Sequence, residues 1–290
     1  MQPIFDTALL IERKRRALVR AVPGADFLMR RAADDLSERL GAVERRFARA
    51  VVLFCLTPAA GEAVLNSGKV GDVMRLESDT AFLGSGAGVL AQPGHVPLDP
   101  ESVDLAVSLL SLHDENDIPG MLIQIRRALK PDGLFLGVLA GSGTLSELRE
   151  SLLAAETEFY GGASPRVAPF ADVREAGALL QRAGFALPVA DVETVTVRYD
   201  TAFDLMADLR AMGATNALLA RSRRPVSRGF FARAAGIYAE RFSDPDGRIR
   251  ATFSFVWMSG WAPDASQQKP LKPGSAQVSL ARLLEGSKDP

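Results

Sequence analysis

The alternation of apolar and polar blocks between residues 97 and 149 predicts a strand–helix–strand unit. The apolar run Val103–Leu110 has the length of a buried strand. Apolar residues then recur at helical spacing, at Ile118, Leu122, Ile125 and Leu129. A second apolar run, Leu134–Leu139, follows. Because two parallel strands need a crossover of about a dozen residues, usually a helix, this unit predicts a parallel sheet with a right-handed crossover.

Short-range signals mark the ends of the predicted elements. Pro131 cannot continue a helix and Gly133 tolerates a positive φ, so Lys130–Gly133 is predicted as a turn. Gly184 follows a helical pattern and is predicted to end it. Two pairs have the spacing of a capping box at a helix start, Thr144 with Glu147 and Asp172 with Glu175.

The same patterns divide the chain into three regions. Residues 1–48 are predicted to be an N-terminal helical segment, and residues 49–262 an α/β domain of alternating strands and helices. Within that domain a helical cap is expected at about residues 201–245, before a last strand at Thr252–Trp257. Residues 263–290 are rich in proline and are predicted to be an extended tail.

Composition excludes several classes of function. The 290-residue chain is 47% apolar and 24% charged, as in ordinary globular proteins. Its net charge of −1 argues against a general nucleic-acid binder. A single cysteine excludes a disulfide framework and a thiolate zinc site, and it suits a reducing compartment. With no apolar run of membrane-span length and no signal or transit peptide, we expect a cytoplasmic protein.

Few residues are candidates for chemistry. His113 follows the fourth predicted strand, where open α/β sheets bind their ligands, although it could equally hydrogen-bond the loop. His95 lies in a loop of glycine and proline and is expected to be exposed. Because no two-histidine, one-carboxylate spacing occurs, we predict no metal site.

Two glycine-containing loops and one basic run leave alternatives open. Residues 141–144 could hold an anion at a helix start, or form a simple tight turn. Residues 161–166 shape a loop in which Arg166 either pairs with an acidic ligand group or is a surface arginine. The run Arg13–Arg16 is either a solvated helix face or a docking site for an acidic protein.

The order D-L-A-V-S-L-L-S-L-H, helix, L-K-P-D-G resembles the second half of a class I S-adenosylmethionine (SAM) methyltransferase domain. Further segments are similar to one branch of that superfamily, the complex I assembly factors that hydroxylate an arginine of a respiratory NADH dehydrogenase subunit. These segments are Gly141–Glu147, Ala155–Phe170, Leu180–Phe185, Phe203–Asn216 and Met258–Trp261. The similarity covers nearly the whole chain and is weakest from Val51 to Gly94.

The resemblance implies an α/β fold of the Rossmann-like, class I methyltransferase type. That fold has a seven-stranded sheet with helices on both faces, here with added N-terminal helices and a helical cap. The implied cofactor is SAM, bound at the carboxyl ends of the strands. The positions that match its binding residues are Cys55, Thr57, Gly61, Glu77, Gln92, Ser111 and His113. Among them, Glu77 matches the acid that holds the ribose, and Gln92 the residue that contacts adenine.

The loop after the first predicted strand, Ala50–Phe54, departs from the family pattern. A D-x-G-x-G-x-G sequence is expected there because SAM lies directly on the backbone, and a Cβ atom is in the way. In this chain the loop reads C-L-T-P-A-A-G, so that only Gly61 remains of the glycines. Leu53 stands where the acid is expected, and Pro58 removes one backbone N–H.

Three functions therefore stay open from the sequence. The first is an enzyme that modifies a protein arginine, with a respiratory complex I subunit as its partner and His113 and Arg166 as candidate catalytic residues. The second is a small-molecule or carrier-protein methyltransferase. The third is a non-catalytic pseudo-methyltransferase that binds a protein during assembly. The altered loop favours the third function, while Glu77 and the corner at residues 111–113 favour the first two.

Overall fold

The structure is a computed structural model that describes residues 2–268. Most of the predicted C-terminal tail, residues 263–290, lies outside the described residues. None of the helices in residues 2–268 is long and apolar enough to cross a membrane.

Seven strands form one sheet with the spatial order β3-β2-β1-β4-β5-β7-β6. Strands β1 to β5 run parallel, and β7 is antiparallel to both of its neighbours. The predicted seven-stranded α/β sheet is therefore confirmed. The strands are β1 Phe47–Leu53, β2 Val70–Glu77, β3 Val89–Leu90, β4 Val103–Leu109, β5 Leu129–Ala140, β6 Ala186–Tyr199 and β7 Ile249–Trp261.

Helices cover both faces of the sheet, as predicted. One core includes residues of α2, α3, α6, α8 and α9, and the other includes residues of α5 and α7. The helices are α1 Thr7–Arg20, α2 Phe27–Ala42, α3 Ala59–Asn66, α4 Thr80–Leu83, α5 Ile118–Ala128, α6 Ser146–Tyr160, α7 Val173–Arg182, α8 Ala202–Ala211 and α9 Arg228–Phe242. A short 3₁₀ turn, Leu112–Asp114, follows β4.

The local end signals of α7 are confirmed, and those of α6 are not. Asp172 and Glu175 form a reciprocal capping box at the start of α7, and Gly184 ends the helix with a φ of +82°. The expected capping box of Thr144 and Glu147 is wrong. Both side chains instead bond to β7: the Thr144 hydroxyl donates to the Ser254 carbonyl, and Thr252 donates to Glu147.

Two predicted boundaries in the sheet also differ from the structure. The first strand begins at Phe47 and ends at Leu53, since Phe54 has left the extended region with a φ of +55°. The expected turn Lys130–Gly133 is part of β5, where the register against β4 shifts between Val103 and Leu105. Asp132, and not Gly133, has the positive φ, of 59°. A bulge thus replaces the turn and keeps the backbone hydrogen-bonded to the sheet.

Helix α1 lies over the carboxyl ends of the strands and is fastened at several points. Lys14 Nζ is 2.9 Å from Asp114 Oδ2 in the turn after β4, and Arg15 Nε is 2.7 Å from Asp79 Oδ2 after β2. Just before the helix, Asn116 accepts hydrogen bonds from the backbone N–H groups of Ile4 and Phe5. The N-terminal segment is therefore part of the wall around the strand ends.

Candidate cofactor and substrate site

Two cavities of different size lie at the carboxyl ends of the strands. The larger has a volume of about 740 Å³ and lies among α1, α2, α8 and the ends of β1, β4 and β5. The smaller has a volume of about 40 Å³ and includes Glu77 and Ser111 in its wall. Leu10 and Lys14 of α1 border both cavities, as do Phe54 and Leu56 after β1. Side chains of α1 and of the β1 loop thus divide the edge at which this fold binds ligands.

The backbone around the larger cavity is strained at five non-glycine residues. Phe54, Leu56, Leu110 and Leu145 have φ between 50° and 61°, Ala21 after α1 has a φ of 46°, and all five border this cavity. Each such conformation costs of the order of 1 kcal/mol or more for a residue with a Cβ atom. Strained backbone of this kind concentrates at ligand sites, so its position at the ends of β1, β4 and β5 agrees with a binding role.

Glu77, the expected ribose ligand, is buried and already bonded. Its side chain is 1% exposed, and its Oε1 accepts a hydrogen bond of 3.0 Å from Arg75 Nη2. Burial raises the pKa of Glu77 to about 7, although Arg75 and the Leu56 N–H oppose that rise. Its carboxylate is therefore engaged within the protein.

Three other expected cofactor residues do not reach an open site. Cys55 is fully buried, and its thiol accepts a hydrogen bond from the Leu109 N–H in the core. Gly61 lies in α3, where an added Cβ atom would be 3.8 Å from the Arg75 side chain. Gln92 is exposed and borders neither cavity. Of the seven positions, these three are brought neither to the larger cavity nor to the smaller one.

The remaining expected positions do border the cavities. Thr57 lines the larger one, and its buried hydroxyl has no hydrogen-bond partner in residues 2–268. Ser111 lines the smaller one and is hydrogen-bonded to the Ser108 hydroxyl at 2.8 Å. Of these two hydroxyls, only that of Thr57 has no hydrogen-bond partner within the described residues.

His113 is placed in the wall of the larger cavity as a neutral imidazole. Burial lowers the pKa of His113, and its Nδ1 accepts a hydrogen bond of 3.3 Å from the Ala140 N–H. The neutral ring therefore carries its proton on Nε2, which is 3.8 Å from Asp114 Oδ1. His113 therefore bonds the last residue of β5 rather than its own loop, and it lines the larger cavity. A role for His113 in binding or catalysis stays a prediction.

Asp114 is the charged group at the end of β4, and sequence reasoning missed it. Burial opposes its ionisation, but the charge and hydrogen bond of Lys14 hold the pKa of Asp114 below its usual value. Glu77 and Glu115 line the same small cavity. The Lys14 ammonium therefore lies among carboxylates at this end of the sheet.

The spacing of residues in α1 indicates that Lys14 lies on the buried face of the helix. Leu10, Lys14 and Ala17 are separated by four and three residues, so they share one face of a helix. Leu10 and Ala17 are buried, whereas Arg15 and Arg16 are exposed. The basic run is thus divided between the site and solvent, and the expectation of one solvated face holds only for its second half.

Arg166 lines the larger cavity, but its charge is already paired. Its guanidinium hydrogen-bonds Glu156 and lies 4.4 Å from the centre of the Phe230 ring. Burial would raise the pKa of Glu156, but hydrogen bonds from Arg166 and Ser164 lower it. In this arrangement Arg166 anchors the loop after α6 to α9.

The arrangement does not fit the adenosine half of SAM. The space beside Glu77 is about 40 Å³, below the roughly 300 Å³ at which small-molecule sites begin. The Glu77 carboxylate accepts from Arg75. Gln92 lies outside. We therefore derive no step through that cofactor.

Comparison with known proteins agrees with the fold. The family described as a methyltransferase domain matches residues 72–137. A Bacillus halodurans protein described as a methyltransferase superposes with a TM-score of 0.56 at 13% identity, covering 79% of this chain and 98% of the other. A SAM-dependent methyltransferase of Thermotoga maritima gives 0.50 at 16% identity, covering 87% and 99%. At these identities the likeness establishes the fold alone.

Similarity in sequence is more specific. The chain is 36% identical to the human protein named arginine-hydroxylase NDUFAF5, mitochondrial, over 97% of this chain and 83% of that protein. It is 45% identical to the Dictyostelium discoideum protein of that name over 64% of this chain, but spans only 43% of that relative's length. A malonyl-[acyl-carrier protein] O-methyltransferase of Xylella fastidiosa is 36% identical over 58% of this chain and 55% of that enzyme.

The comparison corrects one prediction and establishes the family. The NDUFAF5 relatives are named as mitochondrial proteins, so the predicted cytoplasmic location is contradicted. The seven-stranded sheet is that of class I methyltransferases. With more than a third of its residues identical to the human protein along nearly the whole chain, this protein belongs to the family of the arginine hydroxylase NDUFAF5.

Proposed function

We propose that the protein modifies an arginine side chain of another protein by hydroxylation, with a subunit of respiratory NADH dehydrogenase as its partner. The observation that carries this proposal is the 36% identity with the human arginine hydroxylase over 97% of this chain. The methyltransferase-fold family and these relatives support an enzyme.

The site supports the recognition of a cationic side chain. Asp114 lies at the end of β4 and holds the Lys14 ammonium at 2.9 Å. A guanidinium forms stronger, bidentate hydrogen bonds with a carboxylate than an ammonium does. In the proposal, the substrate arginine therefore replaces Lys14 at Asp114. His113 beside Asp114 is neutral, so it adds no positive charge that would repel the arginine.

The reaction needs components that we do not assign to this chain. Conversion of a C–H bond to C–OH requires an oxygen donor, and a reductant as well if that donor is dioxygen. Within residues 2–268, no three histidine, cysteine or acidic residues are grouped as metal ligands would be. The expectation of no intrinsic metal site stays a prediction. We assign to the described residues the binding and orientation of the arginine.

The test is complementation of human cells that lack NDUFAF5. The full chain, fused to a mitochondrial targeting sequence, is compared with its Asp114→Asn, Lys14→Gln and Asp72→Asn variants. Mass spectrometry of complex I subunits measures the oxygen gained on arginine. We expect activity from the wild type and from Lys14→Gln, and none from Asp114→Asn. Asp72→Asn changes an exposed acid on β2 and is the control variant, which should be active.

Lys14→Gln and Asp114→Asn break the same ion pair, so loss of the pair alone cannot explain a difference between them. Equal activity of Asp114→Asn and wild type would rule out the arginine site. No oxygen gain with the wild-type chain, despite normal expression, would overturn the hydroxylation itself.

A second candidate is a protein that binds and assembles its partner without SAM chemistry. The closed space beside Glu77 favours it over the carrier-protein methyltransferase, which needs that cofactor. Calorimetric titration with SAM distinguishes these two. We expect no saturable binding of SAM to the wild type. The double variant Leu10→Ala, Lys14→Ala removes side chains that divide the two cavities, and we expect it to bind SAM weakly. Tight binding to the wild type would restore the methyltransferase.

A further inference from the structure

The larger cavity has the volume of a small-molecule site and a largely apolar wall. Its volume of about 740 Å³ lies within the roughly 300–1,000 Å³ of ordinary ligand sites. Helices α2 and α8 and strand β7 supply much of the wall. Their apolar contributions include Leu28, Met29, Met206, Leu209, Phe253 and Phe255.

The charged residues around this cavity are mostly cationic. Five are basic, namely Arg13, Lys14, Arg30, Arg166 and Arg210, whereas the acids are Asp26 and Asp114. Arg30 pairs with Asp26, Lys14 with Asp114, and Arg166 with Glu156 from outside the cavity. In the part of the chain that the structure describes, neither Arg13 nor Arg210 forms an ion pair with a carboxylate, and Arg210 is exposed.

Arg13 lines this cavity and has no partner among residues 2–268. Its Nη1 atom is buried and makes no hydrogen bond to any atom of residues 2–268. The nearby Asp6 is engaged, because it accepts from the Leu9 N–H at 3.1 Å and from Arg221 Nη2 at 3.2 Å. Burial and the charge of Arg221 lower the pKa of Arg13.

An unpaired buried donor is costly, and a buried charge more so. The Thr57 hydroxyl, another wall group of this cavity, is also buried without a partner among the described residues. A ligand that accepts hydrogen bonds would satisfy such groups, and a negative charge would neutralise Arg13.

We propose that the cavity binds an anionic amphiphile, with its acidic head group on the Arg13 guanidinium and its apolar chain against α2, α8 and β7. The head group is a carboxylate or a phosphate, since both accept charge-assisted hydrogen bonds from a guanidinium. The inference goes beyond the proposed function, because an arginine side chain is cationic and is assigned to Asp114. The apolar, cation-rich wall of the cavity points to this second ligand.

Calorimetric titration of the purified full chain tests the proposal. The probes are dodecanoate and dodecyl phosphate below their micelle concentrations, dodecanol below its solubility limit, and the short anions acetate and inorganic phosphate. We expect saturable binding of one or both dodecyl anions, binding of dodecanol weaker by about tenfold or more, and no binding of the two short anions. The tighter of the two dodecyl anions identifies the head group.

Two variants of α1 provide the matched comparison. Arg13→Gln should weaken binding of the dodecyl anion by about tenfold or more and leave dodecanol unaffected. Arg16→Gln removes an exposed arginine of the same helix, paired with Glu12, and should change neither. Arg13→Lys keeps the charge and should retain part of the affinity, which covers the case in which Arg13→Gln does not fold.

Dodecanol binding as tight as dodecanoate, or affinities unchanged in Arg13→Gln and Arg13→Lys, would overturn the proposal. Because the titration contains no protein substrate, these outcomes are independent of the hydroxylation assay. Failure of hydroxylation would likewise leave the binding result intact.

Discussion

The carboxyl ends of the strands are closed on the β2 side and open on the β4–β5 side. On the β2 side, Glu77 and Arg75 are buried against each other, and only about 40 Å³ remains. On the β4–β5 side, residues of α1, α2 and α8 border a cavity of about 740 Å³. The β2 side is therefore filled by the protein's own side chains.

The difference lies in which polar groups are already paired within the protein. Arg75 donates to Glu77 and also to the carbonyls of Phe82 and Leu83, so one guanidinium replaces the polar contacts that a ligand would make. Lys14 does the same for Asp114. The open side has no such replacement for Arg13 or Thr57 within the described residues.

The largest expected effect is the loss of stability when a packed side chain is truncated, which should differ between the two sides. Leu76→Ala removes a fully buried side chain of β2, whereas Leu209→Ala truncates a wall of the existing cavity. We expect about 4 kcal/mol of lost stability for Leu76→Ala and about 2 kcal/mol for Leu209→Ala, because the cost grows with the new cavity that remains. Urea unfolding of both variants measures the difference, and equal losses would contradict the contrast between a closed and an open side.

The next effect concerns the buried ion pair. Arg75→Ala leaves the Glu77 carboxyl buried without its cation, which should cost about 3 kcal/mol. This is the lower end of the range for such pairs, since Glu77 with its raised pKa can take up a proton. Arg49→Ala breaks an exposed pair with Asp72 on the same sheet and should cost less than about 1 kcal/mol. If both variants lose the same stability in urea, Glu77 is not held by Arg75.

The smallest effect is a dependence on pH. The pKa of Glu77 is about 7 in the folded protein, against a reference value of 4.5, so the folded state holds a proton that the unfolded state has released between these values. Stability from this group is therefore greatest below about pH 4.5 and is lost as the pH rises towards about 7. The loss amounts to about 1 kcal/mol per pH unit within that window.

Glu77→Gln removes this titration and serves as the reference. Unfolding of both proteins at about pH 5.5 and about pH 7.5 should show the wild type gaining roughly 1–2 kcal/mol relative to the variant at the lower pH. A difference between the two proteins that stays constant with pH would mean that Glu77 is ionised at both values.

Local signals predicted much of the fold. The strand–helix–strand unit around α5, the capping box of Asp172 and Glu175, and the stop at Gly184 all depend on residues a few positions apart. Such contacts form within one turn of the chain, so their residue types alone indicate them. The match in sequence pattern added the seven-stranded sheet and the family.

Only the tertiary structure decided how the site is filled. Thr144 and Glu147 have the spacing of a helix cap, yet β7 lies close enough to take both side chains. Cys55 and Gln92 occupy the expected loop positions, but the first points into the core and the second into solvent. The sequence by itself determined the elements and the class of fold. The pairing of Lys14 with Asp114 joins residues far apart in the chain, and it depends on where packing places α1 over the strand ends.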